Sequence, residues 1–198
     1  MKNYALLYFR GFHSRKCEHS AKYLKLKDYF DDTDVFEIEL NYDNENDYMS
    51  SIETLCKKYS RVGLVGDSLG AIPSLYLHSL TEYPLVLINP SYYPEITLKD
   101  DLSEEMKDEI NFFKNKIEEN KSKLFFRFEQ AKDDERVDYA RFYEHFKFNA
   151  ELVNFHEKGG HKFDCIDDDL LHLWNLYLFF EIDELFMLFE KHEGVLCD

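Results

Sequence analysis

The chain has 198 residues, 44% of them hydrophobic and 17% aromatic, enough apolar surface for one sizeable core and too much for a disordered polymer. A formal net charge of −16 sets up a negative surface potential that repels nucleic acid and anionic lipid and speaks against both as partners. Cys17, Cys56, Cys165 and Cys197 are widely spaced with no CxxC pair, and MKNYALLYFRGF carries too short an apolar run for a secretory leader; reduced thiols and a cytoplasmic location are therefore expected, not a disulfide framework or a zinc ribbon.

In chain order, YALLYF (4–9) reads as a strand, followed by helical spacing over 18–30. VFEIEL (35–40) leads to a helix over 47–59, RVGLVG (61–66) to one over 69–80, and PLVLIN (84–89) to one over 102–120. KLFFRF (123–128) precedes a helix over 137–147, and AELVNF (150–155) precedes a helical region over 167–191. This alternation predicts one α/β domain over 1–198, a three-layer sandwich of about six mostly parallel strands with helices on both faces. The acidic runs DDTD (31–34), NYDNEND (41–47) and KDDLSEEMKDE (99–109) fall between elements or on helix faces and read as solvated surface.

Residues 91–122 are a candidate small lid, with Tyr92 and Tyr93 close to a pocket. The C-terminal region is rich in Leu, Phe and Tyr, which packing on the sheet accounts for, with a homodimer contact as the alternative. Glu181, Asp183 and Glu184 interrupt it, so no membrane span is expected.

The chemistry-bearing stretch is VGDSLGA (65–71), where Gly66 and Gly70 flank Ser68 in the pattern GxSxG between a strand and a helix. There, small residues let the chain turn sharply enough to expose a serine hydroxyl at the top of a sheet. Pro73 is the discordant residue, since it falls inside the expected helix. A serine needs an imidazole to take its proton and a carboxylate to orient that imidazole. His161, on the loop HEKGGHKF after the last strand, is the candidate base; His156 lies too close to the strand end, and His78, His145 and His172 sit on helices. The loop AKDDERVD after the fifth strand offers Asp133 and Asp134, of which Asp134 is preferred because Val137 would anchor the next helix and aim that carboxylate inward. The backbone amides of Leu69 and of Phe12, in FRGFHS (9–14), are the candidate oxyanion donors, and His13, Tyr92 and Tyr93 are candidate substrate-lining residues. Five of the seven glycines, at 11, 66, 70, 159 and 160, fall in three of these four segments.

His13, Cys17 and His19 lack the spacing of a metal site, and the glycines match neither a dinucleotide fingerprint nor a phosphate-binding loop, so no metal or cofactor is expected.

With these motifs the chain resembles the α/β-hydrolases, and more closely the small bacterial esterases of the YqiA and YcfP type, over almost its whole length. The resemblance rests on Gly11, Phe12 and Ser14 after the first strand, on Gly66, Ser68, Leu69 and Gly70, on INPSYYP (88–94), on DDERVDY (133–139) and on GGHKF (159–163). It implies a compact hydrolase without a large cap domain, acting on small-molecule carboxylic esters or thioesters, with Ser68 as nucleophile, Asp134 as acid and His161 as base. Arg10 stands where family members usually carry histidine. An acyltransferase using the same acyl-enzyme, and a scaffold that keeps the fold without catalysis, are the rival readings.

Overall fold

The computed structural model describes residues 3–12, 19–38, 45–98 and 101–180. Six strands form one sheet in the order β2-β1-β3-β4-β5-β6: β1 (Tyr4–Phe9), β2 (Thr33–Ile38), β3 (Arg61–Asp67), β4 (Leu85–Ile88), β5 (Phe126–Ala131) and β6 (Ala150–His156). Every pairing between them is parallel. A strand covered on both faces reads as a continuous apolar run because each face must be dry, and β1, YALLYF, is buried from Ala5 to Phe9. Ala5, Leu7 and Phe9 enter one hydrophobic cluster while Leu6 and Tyr8 enter the other, as the two-residue period of a strand requires.

The first cluster joins the sheet to α2 (Glu45–Cys56), α3 (Ala71–Thr81), α5 (Glu104–Glu119) and α6 (Tyr139–Phe146). The second joins it to α1 (Ala21–Tyr29) and α7 (Asp168–Phe179). A single turn, α4 (Pro94–Thr97), completes the helices. The result is a compact three-layer α/β sandwich, with no large cap domain among the described residues. Four helices begin on side-chain caps: Ser20, Ser103, Asp138 and Asp167 each accept the amide three residues on.

Four details depart from the sequence expectation. β5 lies three residues later than KLFFRF, because Glu129 and Gln130, polar and unlike strand core in sequence, are fully buried in it, while Phe125 is exposed. β2 starts at Thr33 rather than Val35; residues 39 and 40 lie outside the described residues. α4 has no counterpart among the expected helices. Pro73 is the third residue of α3, which starts at Ala71 after a 3-10 turn at Ser68–Gly70, so its missing N–H is one that a helix leaves unpaired in its first turn.

Of the segment 91–122, α5 packs on α3 through buried Met106, Ile110, Phe113 and Ile117. In the C-terminal region, α7 buries Leu170, Leu171, Trp174, Leu178 and Phe179, and residues 181–198 lie outside the described residues. No helix among the described residues is long and apolar enough to cross a membrane.

Candidate active site

The chain runs from β1 to one neighbour, β2, and from β3 towards the opposite edge, so the carboxyl ends of β1 and β3 flank the point where strand order reverses. Crevices in parallel sheets open at such points. Here a cleft of about 1360 Å³ lies over the strand ends, bordered by Gly11, Phe12, Lys22, Ser68, Val137 and His161 among others.

Ser68 leaves β3 at φ +52°, a left-handed conformation that costs a residue with a Cβ about 1–2 kcal/mol. The flanking glycines explain how the turn is built. A Cβ on Gly66 would fall 2.1 Å from Ser74 Oγ, and one on Gly70 would fall 2.1 Å from the Phe9 carbonyl oxygen. The first lets α3 close on the strand and the second lets the 3-10 turn lie against β1. Ser68 is thereby held at the border of the cleft.

Its hydroxyl lies 3.1 Å from His161 Nε2. His161 Nδ1 lies 3.0 Å from Asp134 Oδ2 and 3.2 Å from Oδ1, and the Arg136 amide donates to Oδ1 at 2.8 Å. Burial alone would raise the Asp134 carboxyl pKa. The hydrogen bonds from the His161 ring and the Arg136 amide outweigh it and hold that carboxyl below its ordinary value. Three loops far apart in sequence thus form one hydrogen-bonded line from carboxylate to hydroxyl, with Asp134 Oδ1 and Oδ2 facing the ring nitrogen that Ser68 does not use.

The neighbouring Asp133 does something else: its Oδ1 accepts the Gly160 amide at 2.7 Å. Leu69 follows Ser68 as the middle residue of the 3-10 turn, with its side chain buried. Phe12 borders the cleft with Gly11, whose added Cβ would come within 3.1 Å of Ser68 Cβ, so the loop after β1 runs directly against the serine. His13 lies outside the described residues.

Tyr92 and Tyr93 are not among the residues that border the cleft. Tyr92 is buried, its ring against Phe142 and Phe146 and its hydroxyl on Glu118 Oε1 at 3.1 Å; Tyr93 lies under the Arg141 guanidinium, 4.0 Å from ring centre to Cζ. The apolar core and a cation claim rings that the lid reading of 91–122 had placed near the pocket. From 91–122, Ser91, Ile96, Thr97, Leu98 and Asp101 do border the cleft.

One feature beside the serine has no sequence signal. Asp67 precedes it and would place a second carboxylate next to any developing negative charge; Lys22 Nζ neutralises it at 2.8 and 2.9 Å, and the Tyr8 hydroxyl donates to it at 2.8 Å. Burial, with the Asp67 charge beside it, pushes the Tyr8 phenol well above its ordinary pKa, so it remains a donor. Arg10, where histidine was usual, is buried with Nε 3.7 Å from Glu37 Oε1, and its amide donates to the Ile38 carbonyl, which ties the loop after β1 to β2. Of the competing histidines, His78 is a satisfied core residue: Nδ1–H donates to the Tyr83 carbonyl and Nε2 accepts the Phe125 amide. His156 bonds buried Glu129 instead of reaching the cleft. Among the described residues, no group of three His, Cys, Asp or Glu side chains is placed to hold a metal ion.

The fold is shared with solved structures across most of the chain. A structure from work on the metagenome-derived lipolytic enzymes LipS and LipT aligns with TM-score 0.58 and 10% identity, over 100% of this chain and 95% of that one. Est1E from Butyrivibrio proteoclasticus aligns with TM-score 0.59 and 12% identity, over 96% and 88%. The capsule O-acetyltransferase of Neisseria meningitidis serogroup A aligns with TM-score 0.53 and 15% identity, over 89% and 85%. These likenesses establish the α/β-hydrolase fold. No curated protein matches the chain by sequence. A family profile covers residues 5–180, all of the sheet but the first residue of β1, and on that ground the chain belongs to the uncharacterised protein family UPF0227.

Proposed function

We propose that this protein is a serine hydrolase that cleaves carboxylic esters or thioesters through an acyl-enzyme on Ser68. The observation that carries the reading is the line Asp134–His161–Ser68, with spacings of 3.0 and 3.1 Å, ending on a serine held at φ +52° beside a cleft. A serine held in left-handed backbone at the end of a strand is the conformation in which a nucleophilic hydroxyl is presented to a cleft, which supports the reading.

In this mechanism Ser68 Oγ forms a bond to the acyl carbon while its proton passes to His161 Nε2, and the carbonyl π electrons move onto oxygen. The Leu69 and Phe12 amides receive that oxyanion. Its collapse breaks the bond to the leaving oxygen or sulfur, which takes the proton from His161. Water then attacks the acyl carbon, gives its proton to the same nitrogen, and Ser68 recovers it as the acid departs. Asp134 accepts from Nδ1 throughout, which fixes the tautomer and stabilises the imidazolium between the two transfers. The Lys22 pair keeps Asp67 from opposing the oxyanion.

Labelling with a fluorophosphonate, together with hydrolysis of activated esters of increasing acyl length, tests the reading. The wild type should label, and Ser68→Ala should lose both labelling and at least about 10⁴-fold in kcat. Equal labelling of the two would leave a scaffold without catalysis. An added alcohol that takes the acyl group in preference to water would reassign the same site to acyl transfer.

A further inference from the structure

The turn after β4 takes no part in the proposed reaction, yet it is hydrogen-bonded to the segments that carry Ser68, Asp134 and His161. Asn89 is fully buried and holds φ +43°, which asparagine tolerates better than most residues with a Cβ. Its backbone amide donates to the Glu129 carbonyl at 2.9 Å. Its side-chain oxygen accepts the Ala131 amide at 2.9 Å, at the residue where β5 gives way to the acid loop. Its side-chain nitrogen donates to the Gly160 carbonyl at 2.9 Å and the His161 carbonyl at 3.3 Å. Two residues on, the Ser91 amide donates to the Ser68 carbonyl at 2.9 Å.

Gly160 is gripped from its other side too, because its amide donates to Asp133. Asp133 is exposed, so water competes for that bond; Asn89 is buried and has no such substitute. A donor and an acceptor on one short side chain, on left-handed backbone, is a combination that glycine, aspartate and glutamine each fail to supply.

The geometry points to Asn89 as a positioning residue, whose side-chain amide holds the His161 backbone in register with the acid loop so that the imidazole meets Ser68 and Asp134 already aligned. The inference rests on the serine-hydrolase reading. A misplacement of about 1 Å at a reacting group costs on the order of 10²-fold, and the Asn89 bonds are the buried ties that set this placement.

Asn89→Gly keeps the backbone conformation and deletes the amide. Asn89→Asp keeps the volume and the acceptor for Ala131 but turns an oxygen towards two carbonyls. Both are compared with the wild type for kcat and KM on 4-nitrophenyl acetate, for fluorophosphonate labelling, and for the downfield proton resonance of the His161 Nδ1–H to Asp134 hydrogen bond. Expected are folded variants with kcat reduced about 10- to 100-fold, KM changed less than about twofold, and the resonance broadened or lost. Should Asn89→Gly fail to fold, Asn89→Asp carries the comparison. Folded variants with wild-type kcat, or with reduced kcat and an intact resonance, overturn the role, and so does failure of both to fold, which would make Asn89 a determinant of the fold alone. A wild type that labels no more than Ser68→Ala overturns the hydrolase reading instead.

Discussion

At the scale of single residues, adjacent carboxylates divide two jobs. Asp134 is buried and faces the imidazole, whereas exposed Asp133 holds the backbone amide of Gly160. Asp134→Asn should lower kcat by about 10⁴-fold, as loss of the orienting carboxylate does in other triads, and Asp133→Asn, which keeps an acceptor for the amide, by less than about tenfold. The pH dependence of stability tests Asp134 as well. Because the folded-state pKa of Asp134 is depressed, its ionised form contributes stability that is complete above the unfolded-state carboxyl pKa and is lost as pH falls through the lowered folded value. Thermal unfolding should therefore show Asp134→Asn melting below the wild type near neutrality, with the gap closing in acid beneath the ordinary carboxylate range. A gap constant down to the most acid point would contradict this account.

At the scale of elements, β5, β6 and α7 are bolted together by one buried carboxylate. Glu129 is fully buried and accepts from Arg127 Nε, from Asn154 Nδ2 at 3.3 Å, from His156 Nε2 at 2.7 Å and from Trp174 Nε1 at 3.0 Å. A buried charge is tolerated only when it is paired and its lone pairs are filled, and here four donors from three elements fill them. Glu129→Ala would leave Arg127, itself only 4% exposed, without this partner. The expected cost is about 3–5 kcal/mol, or a fall of ~10 °C in Tm by calorimetry for a chain of this size. Below that lowered Tm the folded variant should still label with fluorophosphonate, because the bolt lies outside the Ser68–His161–Asp134 line.

Across the whole molecule, the dominant electrostatic fact is a net charge of −16 on 198 residues. That balance already counts the lysines of local pairs such as Lys22 with Asp67 and Lys114 with Glu95, so the folded state carries long-range self-repulsion. Raising ionic strength from about 0.01 M to 0.15 M shortens the screening length from about 30 Å to 8 Å and should raise Tm by a few degrees. A Tm that falls with salt would mean that attractive ion pairs outweigh the net repulsion.

How far each level could be read in advance follows from the range of the forces that set it. The apolar runs of β1, β3 and β4 declared themselves because strands buried by local pattern need no distant partner to be recognised. The same holds for the turn around Ser68, whose two glycines answer to local crowding at Ser74 and at the neighbouring strand. The end of β5 was hidden, since Glu129 becomes interior only through donors 2 to 45 residues away. Tyr92, placed near a pocket as part of a candidate lid, went instead to the core with Phe142 and Phe146. Lys22 beside Asp67 and Asn89 between the acid and base loops are likewise pairings of position, and no pattern along the chain encodes them. Periodicity and backbone sterics, which act over a few residues, determined the strands, the layers and the strained serine. Which buried polar group finds which partner was decided only when folding brought separate loops within 3 Å of one another.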